Sequence, residues 1–270
     1  MVLFSDLKLR TISSLILFCI SLSALIMGGI YFDLLITLIS IVLSFEWMRI
    51  VSNNYWIIRG IISSLGLIFI LTNNGTDSIL LISVVITTIL ISSFSRLFSV
   101  SAFLSSIGFI YILSAMSVLQ WLMEFEKGLI GIIIIFLTVI ISEISGYIFG
   151  NVIGGPKLFK KISPNKTWSG VLGSFLFGIL SYYLFSLFYS SNSNILIVSI
   201  GFCIVLVSIF GDLTISWLKR KSNMKDSGFI LPGHGGLFDR LDGLLAVLIF
   251  FPFISAFFGH IGNPINIIFG

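Results

Sequence analysis

Apolar residues run through this chain in nine long blocks separated by short polar breaks: Thr11–Gly29, Phe32–Met48, Ile57–Leu71, Ile79–Phe94, Val100–Leu122, Leu129–Phe149, Trp168–Tyr189, Ile195–Leu218 and Leu241–Phe258. About 20 apolar residues in a helix cross the hydrocarbon of a bilayer. Inside lipid every backbone N–H and C=O must find its partner within the protein, so such blocks are expected as helices. The two-residue alternation of a membrane β-barrel is absent. The pattern predicts an all-α, polytopic integral membrane protein with about nine transmembrane helices. Lys8 and Arg10 precede the first block as in a secretory signal, but the block is long for one and lacks a small-x-small cleavage site, so it reads as a spanning helix. No linker, repeat or soluble domain interrupts the pattern. Residues 1–128 form an N-terminal group of about five spans and residues 129–270 a C-terminal transmembrane region with most of the polar chemistry, within a single membrane domain.

Composition agrees: 57% of the residues are hydrophobic and 10% charged, against about a quarter charged in soluble domains. With a cytoplasmic N-terminus and nine alternating spans, fourteen of the 15 Lys and Arg residues fall on the cytoplasmic side, and only Lys127 does not. That is the positive-inside bias. It accounts for the net charge of +4 without nucleic acid, for which no readout module is visible. Arg49, Arg59 and Arg96 read as topological charges in contact with headgroups, and Glu46 is close enough in sequence to pair with Arg49 or Arg59.

The remaining charges concentrate. Ser216–Asp242 holds Lys219, Arg220, Lys221, Lys225, Asp226, His234, Asp239, Arg240 and Asp242 and reads as a dense charged loop. Asp212 and Glu143 lie late in apolar blocks, where an ionisable side chain is expensive unless paired, solvated or metal-bound. Asp239 and Asp242, three apart at the start of the last block, share one helix face. Two such carboxylates repel unless a cation lies between them, and Mg²⁺ suits a few carboxylates plus phosphate oxygens and water. Favourable placement of acids at a helix N-terminus is the plainer alternative. Pro232-Gly233-His234-Gly235-Gly236 is a glycine-rich turn of the kind that can cradle phosphate, or a simple flexible turn. In the second polar segment, Asn151–Thr167, residues Ser163, Lys166 and Thr167 precede a helix start, an arrangement suited to anions and also to ordinary capping. Together the two segments point to a polyanionic ligand bound with a metal at the cytoplasmic surface.

The run Ser216 to Asp242, with Lys219-Arg220, Lys225-Asp226-Ser227-Gly228, Leu231-Pro232-Gly233-His234-Gly235-Gly236 and Asp239-Arg240-x-Asp242, resembles the signature of the phosphatidate cytidylyltransferase (CDP-diacylglycerol synthase) family. Tyr147, Gly150, Gly154, Ser163-Pro164, Lys166-Thr167 and Gly211-Asp212-Leu213 resemble further segments of that family. The resemblance covers about the last half of the chain. It implies a magnesium-assisted nucleotidyltransferase that joins CTP and phosphatidic acid into CDP-diacylglycerol and pyrophosphate in phospholipid synthesis. The family's metal positions then correspond to Asp212, Asp239 and Asp242, with Lys219 and His234 among the catalytic groups. Ser163, Lys166, Thr167, Arg220, Lys225, Asp226, Gly235, Gly236 and Arg240 become substrate contacts. It also implies a bacterial inner-membrane location with the site facing the cytoplasm, and leaves room for a second cation and a homodimer. Glu143 stands where an aspartate is usual, while Ser169 and Ile215 stand where glutamates are common, so those two positions supply no carboxylate here. Asp239–Ala246 also matches the opening of the CDP-alcohol phosphotransferase motif, but Val247 replaces its arginine and no later aspartates follow. A transporter would spread polar residues through mid-membrane, whereas here they gather at the helix ends.

Overall fold

The computed structural model describes residues 19–73, 76–189, 193–228, 235–260 and 262–269. The predicted blocks are helices. Residues 19–27 form the described part of α1, and the rest of the first block lies outside the described residues. There follow α2 (Gly29–Val51), α3 (Trp56–Thr72), α4 (Asp77–Leu97), α5 (Ala102–Met123), α6 (Gly128–Val152), a hairpin of β1 (Lys157–Phe159) and β2 (Ser163–Thr167), α7 (Trp168–Tyr189), α8 (Asn194–Lys221), α9 (Phe238–Phe257) and the short α10 (Asn266–Phe269). Among the described residues seven helices are long and apolar enough to cross a membrane, and α3 is a shorter apolar helix. The architecture is thus all-α and polytopic, with seven full-length spans identified where nine were expected.

Two compact units divide the chain, Met1–Ser117 with Leu218–Leu241, and Val118–Trp217 with Asp242–Gly270. In the first, helices meet at small residues, as helices in lipid commonly do. A Cβ on Gly60 would enter the Phe45 ring, and one on Gly108 would lie 1.9 Å from Trp47 Nε1. Trp47 donates to the Leu104 carbonyl at 2.8 Å.

Arg59 departs from the headgroup role expected of it: its side chain is fully buried. Its Nη2 donates to the carbonyls of Met48 (3.0 Å), Ser52 (2.5 Å) and Asn54 (3.0 Å), and Nη1 donates to Ser105 Oγ at 3.2 Å. The last carbonyls of a helix lack intrahelical donors, and here one guanidinium serves the end of α2 and the turn into α3. The Met48 carbonyl keeps the Ser52 N–H at 3.2 Å, but Arg59→Met, which keeps the bulk, takes the guanidinium from the Ser52 and Asn54 carbonyls, at about 1–3 kcal/mol for each one left unsatisfied. A large drop in the detergent melting temperature is expected, and a melting temperature within a degree of the parent would contradict this capping role.

In the second unit α6 and α7 pack across Gly146, Gly150, Gly170 and Gly173. A Cβ on Gly170 would lie 2.7 Å from the Gly146 carbonyl, and one on Gly173 would strike Phe149. Ser174 Oγ donates to the Ser142 carbonyl at 2.9 Å across the same seam. The polar segment between these helices is not a plain loop. β1 and β2 pair antiparallel with Lys157 opposite Thr167 and Phe159 opposite Ser163, with one irregularity between them. Pro164 is tolerated because both strands of a two-stranded ribbon are edges. Leu158 fastens the ribbon to an apolar cluster of Val171, Val205 and Ile209.

Candidate active site

The Ser216–Asp242 stretch, read above as a loop, is helix at both ends. Its first six residues complete α8 and its last five begin α9. Lys219, Arg220 and Lys221 occupy the last turn of α8, where cations are favoured by the exposed carbonyls of a helix end. At 28 residues and about 1.5 Å per residue, α8 is about 42 Å long, more than the roughly 30 Å of hydrocarbon. Its charged end therefore extends beyond the lipid core.

In the second unit two glycines bring α8 and α9 together. A Cβ on Gly211 would lie 2.5 Å from Ala246 Cβ and 2.9 Å from the Asp242 carbonyl oxygen. One on Gly243 would lie 2.6 Å from Ser208 Oγ and 3.0 Å from Glu143 Oε1. Each glycine neighbours an acid, Asp212 on α8 and Asp242 on α9, so the residues that permit the close crossing also set the carboxylates at it. Asp242 is buried and accepts from the Gly243 N–H at 2.8 Å. Asp212, half-buried, takes Lys166 Nζ from β2 on Oδ2 at 2.5 Å and Ser216 Oγ on Oδ1 at 3.1 Å. Glu143, on α6, is exposed with its carboxylate beside Gly243.

The hairpin aims Lys166 through local bonds. Thr167 Oγ1 accepts from the Gly170 N–H at 3.2 Å, capping α7. Ser169 lies 3.0 Å from the Thr167 hydroxyl and donates to the Gly154 carbonyl. Gly154 and Gly155 have φ of 67° and 104°, a turn that glycine adopts freely. Ser169, where the family pattern has a glutamate, thus fastens the turn that leads into the hairpin, and Ile215 is a buried core residue.

In the first unit Asp239 is the hub. Lys219 Nζ donates to Oδ1 at 2.6 Å, while the N–H groups of Ser227 (2.9 Å) and Gly236 (3.0 Å) donate to Oδ2. Lysine and aspartate are each only 11% exposed. Gly235 has φ 85°, and a Cβ on Gly236 would lie 1.9 Å from Ser227 Oγ, so both glycines are required by the fold of the loop. Glu46, from α2, was expected to serve an arginine of its own neighbourhood. It is buried and accepts instead from Ser227 Oγ (2.9 Å) and the N–H groups of Leu237 (2.9 Å) and Phe238 (2.7 Å). A lone acid in an apolar block was its only sequence signal.

The other predicted residues sit at the surface of these clusters. Arg220, Lys225, Asp226 and Arg240 are exposed, Ser163 sits in the ribbon, and His234 lies outside the described residues. Among the described residues no group of three His, Cys, Asp or Glu side chains is arranged to hold a metal ion.

Long apolar helices whose acids and lysines collect at glycine-mediated crossings and helix ends define a polytopic membrane protein with a charged site. Residues 8–258 match the model of the Cytidylyltransferase family, and the chain belongs to that family. It is similar to the phosphatidate cytidylyltransferase of Brucella suis, 37% identical over 142 residues, 53% of each chain; the match thus spans about half the length of that relative. Similarity to the phosphatidate cytidylyltransferase of Staphylococcus epidermidis is 31% over 258 residues, covering 89% of this chain and 96% of the other. With that of Staphylococcus haemolyticus it is 32% over 265 residues, with the same two coverages.

Proposed function

We propose that the protein is a phosphatidate cytidylyltransferase of the bacterial inner membrane with its site facing the cytoplasm. The carrying observation is the Lys166–Asp212 pair, built at a helix crossing that also sets the buried Asp242. Cations and carboxylates in one place suit a polyanionic nucleotide at the mouth of an apolar bundle. Similarity to the staphylococcal enzymes over nearly their whole length supports the same substrates, CTP and phosphatidic acid.

In this reading an oxygen of the phosphatidate phosphate attacks the α-phosphorus of CTP. A new P–O bond forms, the bond to the β-phosphate breaks, and pyrophosphate leaves. Phosphoryl-type transfers depend chiefly on positioning and charge neutralisation, and the attacking oxygen is already anionic, so no protein base is required. Lys166 is the ammonium best placed to neutralise phosphate charge, with Ser216 orienting Asp212. Acyl chains stay in the bilayer beside the helices.

Carboxylates are the right donors for Mg²⁺, and Asp212 and Asp242 are our assignment for it. When bound, Mg²⁺ would lower the charge on the triphosphate. The resemblance adds Asp239 to that set, but its oxygens already serve Lys219 and two N–H groups, which better supports a role in holding Ser227 and Gly236 together. Purified protein in phosphatidic-acid liposomes should release pyrophosphate from CTP, and only when both substrates and a divalent cation are present. CTP turnover at the same rate without phosphatidic acid would overturn the proposal.

A further inference from the structure

We infer that Glu46 is a positioning residue for the reaction: its carboxylate, carried on α2, clamps both ends of the signature loop that Asp239 organises. The inference rests on the reading that this loop belongs to the active site. Glu46 is 3% exposed and takes three donors. Oε1 accepts the Leu237 N–H at 2.9 Å, while Oε2 accepts the Phe238 N–H at 2.7 Å and Ser227 Oγ at 2.9 Å. The partners lie 181 to 192 residues away in sequence, so the clamp joins an N-terminal helix to the signature.

The chemistry of the pocket is specific to a carboxylate. Each oxygen faces a backbone N–H, which cannot turn round to become an acceptor. An amide placed there must set its NH₂ against one of them in either orientation, and a protonated acid would set an O–H there. Free N–H groups at the start of a helix also favour negative charge. The backbone also lies close against the carboxylate: Cβ atoms on Gly228 and Gly236 would lie 2.4 and 2.6 Å from the Glu46 oxygens, so a side chain at either position would push the clamp apart.

The clamp acts through Asp239. Ser227 gives its hydroxyl to Glu46 and its N–H to Asp239, and Phe238, held by Glu46 through its N–H, directly precedes Asp239. Phe238 also lies against Trp47, the residue after Glu46, with ring centroids 5.5 Å apart. Two neighbouring residues of α2 therefore fix the main chain and the side chain of the residue before Asp239. Glu46 touches no reacting atom in this account; it sets where Asp239 and Lys219 stand.

The test is Glu46→Gln in the full-length protein in liposomes, read by amide hydrogen exchange and by kinetics. Expected are at least tenfold faster exchange in peptides covering 225–228 and 235–241, unchanged exchange in α6 and α7, and kcat reduced tenfold or more with KM for phosphatidic acid within twofold. Glu46→Asp should recover part of kcat by restoring the charge. Unchanged exchange in the loop overturns the clamp, whereas faster exchange with parental kcat overturns the loop's place in the active site. If Glu46→Gln fails to fold, Ser227→Ala, which removes one of the three donors, goes through the same measurements. Parental exchange and kcat in that variant would equally overturn the inference.

Discussion

Asp212→Asn should lower kcat by about 10²–10³-fold or more, the loss typical when one preorganised electrostatic group is removed, with a nearly unchanged melting temperature. Magnitudes separate this from a structural effect. The side chains of Lys166 and Asp212 are 21% and 35% exposed, and ion pairs so open to solvent typically contribute 0–1 kcal/mol of stability. A thousandfold rate loss is about 4 kcal/mol of barrier, more than such a pair can supply by holding the fold. Lys166→Met should be similarly damaging. The double variant decides between the roles: a mutually structural pair would recover on removing both partners, whereas groups that each serve the substrate leave the double variant at least as slow as the worse single one. Recovery of turnover in the double variant, assayed with labelled CTP in liposomes, would contradict the catalytic assignment.

The second large effect is on stability. Lys219 and Asp239 face each other at 2.6 Å, each 11% exposed. Breaking a buried pair by removing one partner typically costs about 3–5 kcal/mol, because the other charge stays buried without compensation. Lys219→Met should therefore lower the detergent melting temperature strongly and abolish turnover. Asp239→Asn should do the same, since its amide must place an NH₂ against the Lys219 ammonium or against the N–H groups of Ser227 and Gly236. Lys219→Met combined with Asp239→Leu should regain part of the melting temperature but no activity. A Lys219→Met protein that melts within a degree of the parent would remove Asp239 from its place as the shared partner of Lys219, Ser227 and Gly236.

The helices were legible because lipid imposes a length and a composition that no local exception hides. Charges at helix ends misled: Lys219-Arg220-Lys221 reads as loop by polarity, yet cations belong in the last turn of a helix, and α8 continues through them. The spacing of Asp239 and Asp242 was legible as one helix face, but not their different employment, which depends on what each meets. Asp239 finds N–H donors twelve and three residues away, while Asp242 is buried beside the Gly211–Gly243 crossing. Arg59 and Glu46 were out of reach for the same reason. Their partners are mostly backbone groups, which every residue carries, and for Glu46 these lie at the far end of the chain. The hairpin was hidden by Pro164 and by lysines that carry no two-residue alternation, although Leu158 packs on the core and Thr167 is buried.

The central claim is that a nucleotidyl group, and not a terminal phosphate, passes to the lipid. Protein in phosphatidic-acid liposomes, given CTP labelled in separate reactions at the α- or the γ-phosphate, tests it most directly. Label from the α-phosphate should enter the lipid while label from the γ-phosphate leaves as pyrophosphate. Label from the γ-phosphate in the lipid would instead show phosphate transfer and contradict the account.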